Sequence, residues 1–284
     1  MKLIFAFVLL LSAQRTLCQI YFDDTLHQVP KKNATIKATG IMKNGLYEVT
    51  GYTIKRKSTL ACFLHYTDST MKIREGAWQQ WVDGNLSEQG MYHNNHRNGL
   101  WVDYTKEGYS SDSTIFKDDH ATIKESFFYN YNTGNLMAAT LDDVDNNKFY
   151  YTTYAADGAA TVSDSVSMDY SSISFTPDHE TQYYGGPTAW MQRITHAMMP
   201  KINAMMAKIN DFNKNNFGTA LIRFVIDTTG IISHVISLTM EGTEYANLCM
   251  EIISRSPAWI PAEKDGHKVA SIRIQPFTLE TPDN

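Results

Sequence analysis

Between Gly76 and Gly158 an aromatic pair recurs with constant internal spacing, and that recurrence leaves few folds open to the chain. The copies read Gly76-Ala77-Trp78-Gln79-Gln80-Trp81 with Gly84, then Gly99-Leu100-Trp101-Val102-Asp103-Tyr104 with Gly108. Phe128 and Tyr131 with Gly134, and Tyr151 and Tyr154 with Gly158, continue the series. Starts at 78, 101, 128 and 151 give steps of 23, 27 and 23 residues, which marks an internal repeat rather than aromatic richness. Each copy predicts a β-hairpin: an aromatic strand, a turn at Asp83-Gly84 or Thr133-Gly134, and a return strand such as Leu86 to Tyr92. One hairpin cannot bury its own aromatic face, so neighbouring copies must share a sheet. Gly45 to Gly51 and Phe63 to Tyr66 read as degenerate earlier members.

These residues resemble MORN-type repeats in their Gly-x-Trp-x-x-Tyr and Asp-Gly cadence, over about Gly40 to Gly158. The resemblance implies a scaffold or interaction surface and no reaction. Composition narrows the class further. At 43% hydrophobic and 19% charged, the 284 residues have the balance of a folded chain. Eight Pro and sixteen Gly are too few for a long extended spacer. A net charge of −5 with no basic run excludes a nucleic-acid binder, which must neutralise phosphates.

The N-terminus bears on compartment. Lys2 precedes Leu3 to Ala13, apolar but for Ser12, and Gln14-Arg15-Thr16 follows. This is the layout of a secretory signal over 1–18, with cleavage after Cys18. A spanning anchor needs about 20 apolar residues, more than this stretch offers. Lipidation of Cys18 is disfavoured because Leu17 is not the small residue a lipobox places before the cysteine. Cys62 and Cys249 then remain, either as two buried thiols or as a bridge between distant segments.

The C-terminal hundred residues carry a different pattern. Ala220, Ile222, Phe224 and Ile226 alternate along a strand, Asp227-Thr228-Thr229-Gly230 turns it, and Ile231 to Met240 returns with Ile232, Ile236, Leu238 and Met240 on one face. Tyr245, Leu248, Cys249, Ile252 and Ile253 follow helical spacing, and Val269 to Phe277 reads as a last strand. Upstream, Trp190 to Ile209 predicts a helix interrupted by Pro200. The stretch 159–184 is either a linker or a further strand pair, and its Ser, Thr and Asp content leans towards linker.

Pro200, Gly218, Arg223-Phe224-Val225-Ile226-Asp227-Thr228-Thr229-Gly230, Pro257-Ala258-Trp259-Ile260-Pro261, Gly266 and Pro276-Phe277 together resemble the TonB C-terminal domain, over about Gly185 to Leu279. The resemblance implies a periplasmic module that captures an extended segment of an envelope protein or outer-membrane receptor by strand addition. The matching edge is Val269, Ala270, Ser271, Ile272, Arg273 and Ile274, with self-association through the same edge as the alternative. An energy transducer would also need an anchor and a Pro-rich spacer, and a repeat region stands in the spacer's place.

Other chemistries are weaker in the sequence. Cys62-x-x-His65 with His93-x-x-His96 offers four zinc-type ligands, set against polar-turn character around Asn94 and Asn95. Asp142, Asp143 and Asp145 lack the glycine and distal Glu of an EF-hand loop and read as a solvated turn. Met198, Met199, Met205 and Met206 could form an adaptable groove or a copper site, but at helical spacing they fit core packing better. No Gly-x-Ser-x-Gly, Ser-x-x-Lys or His-Glu-x-x-His occurs, so neither an enzyme nor a cofactor is expected. The expectation is an α+β protein: an all-β hairpin-repeat domain over 19–158, a linker, and a small α+β domain over 185–284.

Overall fold

The computed structural model describes residues 18–54, 58–130, 132–206 and 217–280. The segment expected to be an export signal, save Cys18, and also Tyr131 and Ile209 lie outside the described residues. Twelve strands follow one another as neighbours in chain order in one sheet. They are β1 (Cys18–Phe22), β2 (Ile36–Lys43), β3 (Leu46–Thr53), β4 (Leu60–Tyr66), β5 (Arg74–Val82) and β6 (Asn85–His93), then β7 (His96–Tyr104), β8 (Ser110–Lys117), β9 (His120–Tyr129), β10 (Leu136–Asp143), β11 (Lys148–Tyr154) and β12 (Ala160–Ser167). After them come α1 (Gly186–Met206), β13 (Gly218–Ile226), β14 (Ile232–Ser237), α2 (Glu244–Ser254), β15 (Ala262–Lys264), β16 (His267–Val269) and β17 (Ser271–Leu279). By contacts the chain forms two compact units, one of residues 1–110 with 116–120, the other of 111–115 with 121–284.

In the first unit the hairpin β5–β6 turns at Asp83-Gly84, both at positive φ, and β6–β7 turns at Asn94-Asn95, also at positive φ. Asn and Gly tolerate that region, which suits the two-residue turns of a twisted sheet. Trp78, Tyr92, Trp101 and Phe116 are buried, and Tyr92 stands edge-on to both Trp78 (5.2 Å) and Trp101 (5.0 Å). Arginines cap the row: the Arg74 guanidinium lies 5.1 Å from the Trp78 ring centre and 5.0 Å from that of Tyr92, and Arg97 lies 4.2 Å from that of Trp101. Gly90 makes the room, since a Cβ there would sit 2.2 Å from the Trp101 indole.

In the second unit β14, β13 and β17 form a three-stranded antiparallel sheet in that order. Ala220, Ile222, Phe224 and Ile226 meet Trp190, Ile194 and Met198 of α1 and Leu248, Cys249, Ile252 and Ile253 of α2. Thr243 caps α2, its hydroxyl accepting from the Ala246 N–H at 3.1 Å. The opposite face is also covered: Leu221, Val225, Ile236 and Leu238 pack with Ala138, Phe149 and Tyr151 of β10 and β11 and with Met168 and Tyr170.

The expected α+β class, with its separate small α+β domain at the C-terminus, is therefore corrected. The protein is mostly β, 53% strand with two α-helices among the described residues, and its C-terminal elements share a core with the last repeat strands instead of closing on their own. The misreading has a physical cause in Arg223, which stands among the second-face residues of β13 and looks like a solvent-facing position. It is wholly buried, its Nη2 donating to Asp142 Oδ1 and its guanidinium 3.9 Å from the Phe149 ring centre. Tyr170 donates to the same carboxylate oxygen at 2.6 Å. Asp142, read as part of a solvated turn, is thus an interior counter-ion. The return strand also departs from its expected single face. A bulge sets His234 and Val235 against one residue of β13, with His234 at positive φ, so Ile232 joins the helix side while Ile236 and Leu238 join the other; Met240, past the end of β14 and itself at positive φ, joins the helix side.

Candidate functional site

Among the described residues β17 pairs only with β13, so its outer side ends the three-stranded sheet. Strand edges present unpaired backbone donors and acceptors, which makes them templates for another extended chain. A cleft of about 630 Å³ runs along this side. Ile272, Arg273 and Ile274 line it from β17, and 180–183 form the opposite bank.

That bank is fixed by the backbone. Gln182 and Ile260 exchange N–H···O bonds of 3.0 and 2.8 Å, and Glu263 donates to His179 at 2.9 Å. Thr181 donates its hydroxyl to Ile260 O at 2.8 Å, and its own carbonyl accepts from Arg273 Nη1 at 3.0 Å. The range 159–184 therefore holds β12 and a bonded strap, where the sequence leaned towards a linker over further strands.

The cleft wall is aromatic. Trp190 and Trp259 stand with ring centres 4.8 Å apart, and Tyr183 lies 5.2 and 5.5 Å from them. Each ring is held by its polar end or its backbone. Trp190 Nε1 donates to Gln275 at 2.9 Å, and Trp259 Nε1 donates to Ser256 Oγ at 3.1 Å. The Trp259 N–H donates to Gly230 O at 2.8 Å. Gly230 is required there: its φ is +89°, and a Cβ would fall 2.0 Å from the Trp259 carbonyl oxygen. Arg273 lies 5.6 Å from the Trp259 ring centre.

No protein-family model matches the chain, and no curated protein matches it.

Of the six edge residues picked from sequence, three reach the cleft and three are engaged elsewhere. Val269 pairs with Ala262 in the β15–β16 hairpin. Ala270 is buried, donating to Ser172 O at 2.8 Å and accepting from the Ser174 N–H at 2.9 Å. Ser271 is also buried. Ile272, Arg273 and Ile274 carry the open stretch, which Gln275 extends. Tyr183, Trp190 and Thr181 were missed, because nothing in a linker-like segment or a helix start signals a wall for a distant strand.

The zinc-type set is not assembled. Among the described residues no group of three or more His, Cys, Asp or Glu could hold a metal ion. His65 accepts from the Ala77 N–H at 3.1 Å, His93 lies 3.0 Å from Glu75, and His96 lies 2.7 Å from Asp119. Cys62 and Cys249 are buried free thiols, and burial pushes both up to about 12. That settles the alternative of a bridge in favour of thiols. In the acidic stretch, Asp143 accepts from Asn146 in a local turn.

Proposed function

We propose that this is an exported interaction protein that takes an extended peptide as an added strand on the outer edge of β17. One observation carries the reading: β17 ends its sheet, and a cleft of about 630 Å³ with an aromatic wall lies along the free side from Ile272 to Ile274. In strand addition, main-chain hydrogen bonds supply affinity, and pockets for alternate side chains supply selectivity. The TonB-like residues at the C-terminus and the MORN-like cadence before them support a binding role, with a cell-envelope protein or a receptor segment as partner. Export is supported by Lys2 and the apolar run Leu3 to Ala13. Among the described residues no helix is long and apolar enough to cross a membrane.

The test is a fluorescence titration of the full chain with a labelled extended peptide of alternating isoleucine and threonine. N-methylation of every second backbone amide, on one edge and then on the other, separates main-chain pairing from side-chain contact. Binding that survives on one methylated edge and disappears on the other is the expected result. Equal binding of both methylated forms, or no binding of the parent peptide, would overturn strand addition.

A further inference from the structure

The repeat carries two aromatic residues three places apart, and along a strand that spacing sends them to opposite faces. In the first unit Trp78 and Trp101 take the buried side, so Trp81 and Tyr104 stand on the other face. The strand registers define that face. Thr50, Phe63, Gln79, Gln89 and Val102 are successive direct partners across β3, β4, β5, β6 and β7. All these pairings are antiparallel, so β3, β5 and β7 run in one direction. Tyr52, Trp81 and Tyr104 lie two places past Thr50, Gln79 and Val102. The bulges beside Tyr52 and Trp81 put their extra residue on β4 and β6, which keeps the alternation along β3 and β5. The three aromatic residues therefore share one face and one row, on every second strand. Neighbouring strands lie about 4.8 Å apart, which spaces them by about 10 Å.

The fold does not use these rings as core. Tyr52 is 47% exposed, and Trp81 and Tyr104 are half-buried. The other four tryptophans each meet an aromatic neighbour. Among the described residues the Trp81 indole meets no ring and no cation, and its Nε1 has no hydrogen-bond partner. A polar line runs beside the rings: Gln79 donates to Gln89 at 3.2 Å, and Gln89 donates to the Tyr104 hydroxyl at 2.6 Å. Apolar ring surface left at an open face without packing partners marks a contact surface.

We infer that this face binds an extended, neutral β-linked polysaccharide, with alternate sugars stacked on Tyr52, Trp81 and Tyr104. The C–H face of a pyranose stacks on an aromatic ring, and its equatorial hydroxyls meet the Gln79 and Gln89 amides, which donate and accept. In an extended β-1,4-linked chain every second sugar presents the same face, a repeat that suits aromatic residues on every second strand. The two rows carry no formal charge, and Lys37 and Glu48 flank them with opposite signs, which suits a neutral ligand. Nucleic acid also stacks its bases on such rows, but it needs a cationic groove. Glycan binding here does not depend on strand addition at β17.

The test is isothermal titration of the full chain with cellohexaose and chitohexaose, both neutral and β-1,4-linked, and with maltohexaose, whose α-1,4 linkage coils the chain. At least one β-linked hexasaccharide should bind, about tenfold more tightly than maltohexaose. Its disaccharide, too short to reach two rings, should also bind about tenfold more weakly. Trp81→Ala should weaken the hexasaccharide about tenfold, the scale of a central aromatic anchor. Tyr52→Ala, at an exposed position, should weaken it by a smaller factor. Binding of neither β-linked hexasaccharide, or equal binding of α- and β-linked chains, would overturn the assignment. So would an affinity unchanged in both Trp81→Ala and Tyr52→Ala.

Discussion

Both units set an arginine against an aromatic ring, and the two arginines have opposite fates. In the first unit Arg97 lies 4.2 Å from the Trp101 ring centre with its side chain 28% exposed, and it pairs with Glu88 at 2.9 Å. In the second, Arg223 lies 3.9 Å from that of Phe149 at 0% exposure and depends on Asp142 for charge balance. Arg97 closes the outside of an aromatic row, its guanidinium partly in water. Arg223 sits inside a core formed by two sheets, where its Nε and Nη1 have no partner. The same contact is thus an edge seal in one unit and a costly interior feature in the other, because the second unit covers both faces of the strand that carries Arg223.

That contrast breaks most severely at Asp142. Asp142→Leu leaves the Arg223 cation buried and uncompensated, which should cost about 3–5 kcal/mol. Urea unfolding would show this as a lower midpoint. Adding Arg223→Met to it should recover most of the loss, since an apolar pair of similar volume replaces an ion pair at little cost. In the first unit, Gly90→Ala forces a methyl group against the Trp101 indole and should cost about 1–3 kcal/mol. The check is the same midpoint, and Gly90→Ala combined with Trp101→Phe should couple non-additively. Arg97→Ala should cost only about 1 kcal/mol, the scale of a half-exposed cation–π contact with a surface ion pair. A loss as large as that of Asp142→Leu would erase the difference between the units.

The smallest effect is a pH slope. Burial holds His65 below its ordinary 6.5, and its Nδ1 accepts from the Ala77 N–H, so the folded form is neutral. The unfolded chain therefore takes up the proton first as pH falls. Stability from this group is complete above about 6.5 and declines below it until the folded ring titrates as well. Urea midpoints across that range should slope downward with acid, and His65→Gln should flatten the slope.

The legible parts of the sequence were those with a local cause. Turns at Asp83-Gly84 and Asp227-Gly230, and the helix from Tyr245 to Ile253, follow from residues within one or two turns of each other. The first-unit row was visible as Trp78 and Trp101, and Gly90 could have been read as the space beneath the second indole. What stayed hidden depends on pairing across long separations. Arg223 reads as polar until Asp142, 81 positions away, neutralises it. Residues 179–182 read as linker because their hydrogen-bond partners are 260–263. For the site, the open edge was legible from Ile272 to Ile274, while the aromatic wall and the capture of Ala270 by Ser172 and Ser174 were not.

The central claim is that β17 accepts a strand. Hydrogen–deuterium exchange of the full chain, with and without the isoleucine–threonine peptide, reads that edge directly. Slowed exchange concentrated in 271–279, with the repeat strands β5–β7 unchanged, is the expected result. Protection confined to the repeat strands, or none within β17 when the peptide is bound, would contradict it.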